Sequence, residues 1–326
     1  MSEKKILVSG VKPSGRPHIG NYFGAMKQFV DLQEEYDCRI FIADLHSLTT
    51  QSEPDLLRSN TRDVLIDYLA IGLDPKKVTI YKQSDMPQVA ELSWIFSCLT
   101  TMPYLMRAHA FKDAEAKNKE INVGVFNYPL LMSADILIHN ADVVPVGKDQ
   151  KQHIEIARDT AEKFNRAFTD TFKLPEALIL ESVMTIPGTD GQKMSKSYGN
   201  TIPLFAEDDE EIKKIVMSIV TDSKTPDEPK DPETDNIFAL HKLVTEGDEL
   251  EDLRERYKSG KISYKESKEI LLKNMLAFIT PLREKRLEVE RIGDSLMNIL
   301  EEGKEKVTEI ASEKMNEVRN KVGLTN

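Results

Sequence analysis

The residues best suited to chemistry in this chain lie in one short glycine-rich segment. Residues 188–200 read GTDGQKMSKSYGN and include three glycines, two serines and the lysines Lys193 and Lys196. Met194 and the ring of Tyr198 are its only apolar groups, so the composition predicts a mobile surface loop. Lys193 and Lys196 place two positive charges three positions apart on a glycine hinge, an arrangement that suits an anionic ligand.

A second glycine-rich segment near the N-terminus suits the same kind of ligand. Residues 9–21, SGVKPSGRPHIGN, follow a predicted strand and open into a predicted helix. Free N–H groups and the positive end of the helix dipole favour phosphate there, and His18 and Asn21 can donate hydrogen bonds to it. The segment matches neither GxGxxG nor GxxxxGK(S/T), which disfavours a dehydrogenase or a P-loop NTPase. The N-terminal segment alone also fits an ordinary strand-to-helix turn, and the lysine pair alone also fits a solvated loop. The two segments together are a more specific indication of a nucleotide site.

Strand and helix signals alternate through roughly the first 190 residues. Helical patterns separate short apolar runs, which predict strands at residues 5–9, 38–43, 78–82, 141–146 and 177–182. This alternation predicts an α/β fold with a Rossmann-like, doubly wound parallel sheet that binds its ligands at the carboxyl ends of the strands.

The remaining residues are predicted to be mostly helical. Residues 88–140 predict a helical insertion in a catalytic domain of residues 1–205, and residues 206–326 predict a C-terminal all-helical domain. Ser263 and Glu266 have the capping-box spacing that begins a helix. The last predicted helix has an apolar stripe formed by Val307, Ile310, Ala311, Met315, Val318 and Val322.

Composition limits the classes of protein that the chain can represent. The net charge of −11 argues against a non-specific nucleic-acid binder but permits a local basic patch that meets one structured RNA. The chain has no run of eighteen apolar residues and no signal-peptide core, so we expect a cytoplasmic protein without membrane contact. Cys38 and Cys98 are expected to be buried packing residues, with neither a disulfide nor a structural metal implied.

The two glycine-rich segments together resemble the paired signatures of class I aminoacyl-tRNA synthetases. These are PHIGN at residues 17–21, with Asn21 where the commonest form has histidine, and an intact KMSKS at residues 193–197. The resemblance implies that His18, Asn21, Lys193 and Lys196 stabilise charge on ATP as pyrophosphate leaves. It implies Mg²⁺ with ATP as the substrate and no protein-bound structural metal.

Further stretches are similar to bacterial tryptophanyl-tRNA synthetases. Residues 9–33, 127–165 and 220–226 carry this resemblance, which extends from about residue 6 to the C-terminus. It implies a homodimer that activates L-tryptophan with ATP and transfers it to tRNA(Trp), with the C-terminal helices reading the anticodon.

Asp135 is a carboxylate among apolar residues on a predicted helix. Burying a carboxylate is expensive unless a donor reaches it, and an indole N–H is a donor without acceptor capacity. From the residues alone, pairing with an arginine or a capping role is the simpler interpretation. The resemblance implies instead that Asp135 reads the indole, that Met132 forms a wall of its pocket, and that Tyr128 and Gln150 hold the amino group.

The resemblance also assigns residues to ATP. Gly147, Lys148 and Asp149 would hold the ribose, Val183 or Met184 would contact adenine, and Lys112 would reach pyrophosphate. The complete set implied for ATP is Lys12, Pro13, Ser14, Gly20, Asn21, Lys112, Gly147, Lys148, Asp149, Val183, Met184, Lys193, Met194, Ser195, Lys196 and Ser197. Lys12 stands where many family members have glutamine, so its role can be electrostatic.

Other conspicuous residues have simpler interpretations. Trp94 is expected in the core and His46 as a packed loop residue, while His153 and Arg158 are expected to face solvent or a neighbouring element. Three alternative functions stay open at this point. They are a tyrosyl enzyme of the same class, a nucleotidyltransferase with an HxGH-type loop, and a non-catalytic synthetase-like RNA-binding or regulatory paralogue.

Overall fold

The chain divides into two compact parts, which we call the sheet unit and the helical unit. The computed structural model describes residues 4–108, 111–112, 115, 121–147, 151–179 and 186–325. The sheet unit comprises residues 1–15, 28–181 and 292–326, and the helical unit comprises residues 16–27 and 182–291. These units are defined by compactness, and the predicted functional boundary after residue 205 stays a prediction.

The sheet unit contains a five-stranded parallel sheet in the order β3-β2-β1-β4-β5. Its strands are β1 (Ile6–Val11), β2 (Asp37–Ile42), β3 (Thr79–Lys82), β4 (Val143–Pro145) and β5 (Glu176–Leu178). The strand order reverses between β1 and β4, so the crevice for ligands lies beyond the carboxyl ends of these two strands. The predicted doubly wound fold is confirmed.

Helices fill most of the remaining chain. In chain order they are α1 (Ile19–Asn21), a π-helical turn (Tyr22–Met26), α2 (Lys27–Leu32), α3 (Asp44–Ser47), α4 (Pro54–Ala70), a 3₁₀ turn (Gln83–Asp85), α5 (Gln88–Leu99), α6 (Met102–Leu105), α7 (Val123–Leu137), α8 (Lys151–Ala167), a 3₁₀ turn (Lys196–Tyr198), α9 (Asp209–Ser218), α10 (Asn236–Val244), α11 (Gly247–Lys258), α12 (Tyr264–Glu290), a 3₁₀ turn (Gly293–Leu296) and α13 (Met297–Val322). Ser263 accepts a hydrogen bond from the Glu266 N–H, as the capping-box spacing predicts. Within the described ranges, no helix is both long enough and apolar enough to span a membrane.

The helix predicted to follow the first glycine-rich segment is interrupted by the π-helical turn. The wider turn allows the adjacent rings of Tyr22 and Phe23 both to pack on Phe278 of α12, with ring centroids 5.4 and 5.2 Å away. This aromatic group lies entirely within the helical unit. A helical periodicity alone does not distinguish such a turn from a regular helix.

The last helix, α13, belongs to the sheet unit and packs on β3 and α5. Its predicted apolar stripe is confirmed, because Val307, Ala311, Met315 and Val318 are fully buried there. The stripe joins the main core, in which α5, α7 and the strands meet. The sequence alone associated α13 with the other C-terminal helices, because its apolar stripe does not specify a partner.

Two expectations about packing are wrong. Trp94 is 71% exposed, although it was expected in the core, and Cys98 is also exposed, whereas Cys38 is buried as expected. Helix α5 is buried through Leu92 and Phe96, so Trp94 and Cys98, four residues apart, share its outer face. The high average apolarity of the α5 sequence therefore gave no indication that one face of the helix is exposed.

Gly303 of α13 provides a test of how closely this helix packs on the edge strand. A Cβ atom at Gly303 would overlap the main-chain carbonyl of Ile80 in β3, whereas a Cβ atom at Gly24 would meet open space. We expect Gly303→Ala to lower the free energy of unfolding by about 1–3 kcal/mol because backbone must move aside. Urea unfolding would measure this, with Gly24→Ala as a control of nearly unchanged stability. Equal stability of both variants would contradict the close packing.

Candidate active site

His18 is held as a neutral hydrogen-bond donor at the start of α1. Its Nδ1 accepts from the N–H of Asn21 at 3.2 Å, and the Oδ1 of Asn21 accepts from the N–H of His18 at 3.1 Å. The ring proton therefore resides on Nε2. Burial, and then the charge of Lys196, lowers the pKa of His18 to about 4. The imidazole is neutral at physiological pH and can donate through Nε2 to an anionic ligand.

The HIGN turn and the KMSKS segment lie together in the helical unit. The N–H of Ile19 donates to the carbonyl of Ile202 at 3.0 Å. The N–H of Leu204 donates to the carbonyl of Pro17, also at 3.0 Å. This short antiparallel pairing joins the HIGN turn to residues 202–204, which follow the KMSKS segment in the chain.

Asn200 organises the lysine-bearing segment from a buried position. Its Oδ1 accepts from the N–H of Ser195 at 2.8 Å, and its Nδ2 donates to Asp190 Oδ1 at 2.7 Å and to the Lys193 carbonyl at 3.2 Å. One side chain thus joins both ends of the segment. Nothing in the spacing of the motif pointed to this asparagine as its organiser.

The same segment lies mostly at the surface, as its composition predicts, but it contains a few buried positions. Met194 is only 4% exposed, while Lys193 and Lys196 are exposed. Gly191 and Gly199 have φ angles of +81° and +65°, so they provide backbone turns that side-chain-bearing residues rarely adopt. The mobility of the loop stays a prediction.

In the sheet unit, Asp135 lies on α7 and is 3% exposed. Gln83, which directly follows β3, donates from Nε2 to Asp135 Oδ2 at 2.8 Å. Burial raises the pKa of Asp135 well above its usual range, and this hydrogen bond opposes the shift. The partner that the structure provides for Asp135 is thus an amide, and not the arginine of the simpler interpretation.

Three further side chains of the same unit are connected to this carboxylate through a chain of contacts that begins at Gln83. His46 Nδ1 lies 2.7 Å from Gln83 Nε2, and the rings of His46 and Tyr128 meet edge to face at 6.1 Å. Lys12, at the end of β1, places Nζ 5.7 Å from the centre of the Tyr128 ring, where desolvation lowers its pKa. We call Lys12, His46, Gln83, Tyr128 and Asp135 the carboxylate cluster.

Sequence reasoning missed Gln83 and underestimated His46. His46 is packed as expected, at 6% exposure, yet it is part of the carboxylate cluster. The available signal was position, because Gln83 directly follows one parallel strand and Asp44 follows another by two residues, and ligands are bound at such strand ends. His153 Nε2 lies 3.4 Å from the Tyr128 hydroxyl and Arg158 donates to the Pro175 carbonyl, so both face neighbouring elements as expected.

The other residues implied for the ligands are distributed over both units. Met132 is half-buried on α7, Gly147 follows β4 by two residues, and Lys112 is exposed. Pro13 is buried and Ser14 is exposed in the loop after β1, and Gly20 lies on α1. Ser195 and Ser197 share a hydrogen bond of 2.9 Å. Lys148, Asp149, Gln150, Val183 and Met184 lie outside the residues that the structure describes.

Known proteins are similar to this chain in sequence and in fold. Residues 1–280 match the family described as tRNA synthetases class I (W and Y). The chain therefore belongs to this family of class I tRNA synthetases.

Within that family it belongs to the bacterial tryptophanyl type. It is 49% identical over 321 residues to the tryptophan–tRNA ligase of Fusobacterium nucleatum, covering 98% of each chain. It is 46% identical over 318 residues to that of Rhodopirellula baltica, covering 98% of this chain and 99% of the relative. The crystal structure of the Campylobacter jejuni tryptophanyl-tRNA synthetase, complexed with ADP and tryptophan, superimposes with a TM-score of 0.88 at 43% identity, covering 98% of this chain and 99% of that one.

Asn200 offers a test of the organisation of the lysine-bearing segment. We expect Asn200→Ala to slow adenylate formation at least about tenfold, because misplaced lysines stabilise transition-state charge poorly, while the KM for the amino acid changes little. Single-turnover kinetics would measure the rate constant. Asn165→Ala is a matched control, since Asn165 makes three comparable hydrogen bonds to main-chain groups in the sheet unit. A normal rate constant in Asn200→Ala would contradict the organising role.

Proposed function

We propose that this chain attaches L-tryptophan to tRNA(Trp) at the expense of ATP. The observation that carries the proposal is the buried Asp135 carboxylate, a hydrogen-bond acceptor oriented by an amide donor in an apolar helix. The relatives named above, which are tryptophan–tRNA ligases at 49% and 46% identity, support the same reaction.

The first step requires positioning and charge stabilisation rather than a strong base. The tryptophan carboxylate attacks the α-phosphorus of Mg-ATP, the new bond is the mixed anhydride of tryptophanyl-adenylate, and the bond to pyrophosphate breaks. The nucleophile is already anionic, so alignment supplies much of the rate. His18 would donate from Nε2, and Lys193 and Lys196 would neutralise charge on the leaving pyrophosphate.

In the second step, a ribose hydroxyl of the terminal adenosine of tRNA attacks the acyl carbon of the adenylate, and AMP leaves. Mg²⁺ enters with ATP as part of the substrate. The residues proposed for ATP are those implied by the family resemblance, including Lys12 and Gly147. A cytoplasmic location accords with this function in protein synthesis.

The carboxylate cluster would provide selectivity for tryptophan. An indole N–H can satisfy the buried carboxylate of Asp135, whereas phenylalanine would leave it without that donor, a difference of roughly 10⁴–10⁵ in specificity for sites of this kind. Met132 would contact the indole, and Tyr128 with Gln150 would hold the amino group. A tyrosine phenol is shorter and carries its donor at a different position.

The helical residues after 205 would form the anticodon-binding domain. Helices α10 and α11 enclose a small core of their own together with the short segment between α11 and α12. This core consists of Phe238, Leu253, Tyr257 and Ile262. A separate core allows this part to act as a rigid body that meets tRNA.

The proposed selectivity can be tested by ATP–pyrophosphate exchange. We expect exchange with tryptophan and little with tyrosine in the wild-type protein, followed by charging of tRNA(Trp). In Asp135→Ala, loss of the indole partner should reduce discrimination against phenylalanine by several kcal/mol. Exchange with tyrosine alone would refute the tryptophan assignment. Unchanged discrimination in the variant would show that another group reads the indole.

A homodimer is also part of the proposal, supported by an exposed apolar surface in the helical insertion. Trp94 is 71% exposed, Met102 66%, Met106 47% and Val123 80%. Helices α5 and α6 both contact α7, so these side chains belong to one group of packed helices. Large exposed apolar side chains in such a group mark an interface, and a second copy of this chain would cover it.

Trp94 is the sole tryptophan of the chain and therefore reports on this interface. We expect Trp94→Glu to convert dimers to monomers in sedimentation equilibrium, because it places a charge in an apolar contact. In the wild-type protein, dilution should shift the tryptophan emission to longer wavelength as dimers dissociate. Phe168→Glu is the control, since Phe168 is also exposed on the sheet unit but lies just after α8. Dimers that persist in Trp94→Glu would exclude this surface.

A further inference from the structure

We propose that Gln83 is a positioning residue for tryptophan recognition, acting through Asp135 and His46. Its amide would favour the ionised, acceptor form of Asp135 and hold His46 in a single tautomer. This inference rests on the proposed function and adds to it a residue that does not itself contact the indole. All of the groups involved belong to the sheet unit.

The orientation of the Gln83 amide is determined by three hydrogen bonds. Its Oε1 accepts from the main-chain N–H of His46 at 3.2 Å. Its Nε2 has two protons, and the two acceptors within reach are Asp135 Oδ2 at 2.8 Å and His46 Nδ1 at 2.7 Å. Reversing the amide would place its oxygen against the carboxylate and its N–H groups against a main-chain N–H. Only one orientation therefore satisfies the buried groups.

The same amide selects the tautomer of His46. Because Nδ1 accepts from Gln83, the ring proton must reside on Nε2. The main-chain carbonyl of Tyr128 is the acceptor on the other side of the ring, and burial, the largest effect, lowers the pKa of His46 to about 4. The neutral ring thus links Gln83 to the main chain of α7, the helix that carries both Tyr128 and Asp135.

Gln83 is itself placed where the carboxyl ends of neighbouring strands meet. Asp44, at the start of α3, accepts from the N–H of Ser84 at 2.9 Å and from its hydroxyl at 2.5 Å. These bonds connect the turn after β3 to the helix that contains His46. The donor for Asp135 is consequently aimed by the sheet and not by a flexible loop.

The hydrogen bond from Gln83 affects which protonation state of Asp135 the substrate meets. A donor from Gln83 to Asp135 favours the carboxylate over the carboxylic acid, and leaves the second oxygen able to accept an indole N–H. Without that donor, the buried group would more readily take up a proton. A carboxylic O–H facing an indole N–H would present a donor to a donor. Loss of Gln83 should therefore weaken binding of substrates that offer an N–H, and leave other substrates almost unaffected.

The test compares tryptophan with an analogue in which sulfur replaces the indole N–H, 3-(benzothiophen-3-yl)alanine. Gln83→Met keeps side-chain length and removes the amide. We expect the KM for tryptophan in pyrophosphate exchange to rise about 10- to 100-fold, as for loss of a hydrogen bond to a charged group. The kcat with tryptophan and the KM for the sulfur analogue should each stay within about threefold of the wild-type values.

Gln33→Met is a matched control for a purely structural effect. Gln33 is also buried in the sheet unit, where its side chain bonds to the main chain of Val30, Gly72 and Asp74. We expect this variant to lose stability without changing the ratio of KM values for the two substrates. A further variant, Gln83→Glu, keeps the shape of Gln83 but replaces its donor by an oxygen, and should raise the KM for tryptophan at least as much as Gln83→Met.

The outcomes separate this inference from the proposed function. Absence of tryptophan-dependent exchange in the wild-type protein would refute the function. Wild-type exchange together with an equal change for both substrates in Gln83→Met would refute only the role of Gln83. A wild-type KM for tryptophan in Gln83→Glu would refute it as well. If Gln83→Met does not fold, as judged by circular dichroism, the Gln83→Glu variant decides the question.

Discussion

The constraint on which the proposed specificity depends is the burial of a carboxylate among apolar side chains. Asp135 is 3% exposed, and a group of this kind is tolerated only where donors reach it. The donor that the structure supplies, Gln83, comes from the end of a parallel strand 52 positions away in the chain. A buried, oriented acceptor is the feature that an apolar pocket needs to distinguish an indole from a plain aromatic ring.

The charge-handling part of the molecule solves a different physical problem. For the proposed reaction it would present to the anionic ATP two ammonium groups and an imidazole that stays neutral. His18 achieves this through a cap that occupies Nδ1 and through burial that lowers its pKa to about 4. Lys193 and Lys196 remain exposed on a segment whose main chain is held by Asn200. Rigid main-chain placement combined with exposed charge suits stabilisation of a developing negative charge.

The chain is acidic, although the partner proposed for it, tRNA, is a polyanion. The net charge of −11 describes the whole surface, whereas the cations proposed to act on ATP are Lys112, Lys148 and the lysines of the two signature segments. Membership in the class I tRNA synthetases explains why both segments are present together. The separate burial of α13 in the sheet unit shows that the end of the chain stabilises the sheet that carries the carboxylate cluster.

Local patterns in the sequence determined much of this molecule. Alternating apolar runs located β1 to β4 to within about two residues, the Ser263 cap was readable from spacing, and the two signature segments identified the family. Tertiary structure alone decided that Gln83 and His46 meet Asp135, that Trp94 faces outward and that α13 packs on β3. The reason is physical, because periodicity reports which side of an element is apolar, whereas strand order and packing determine which distant residues that side meets.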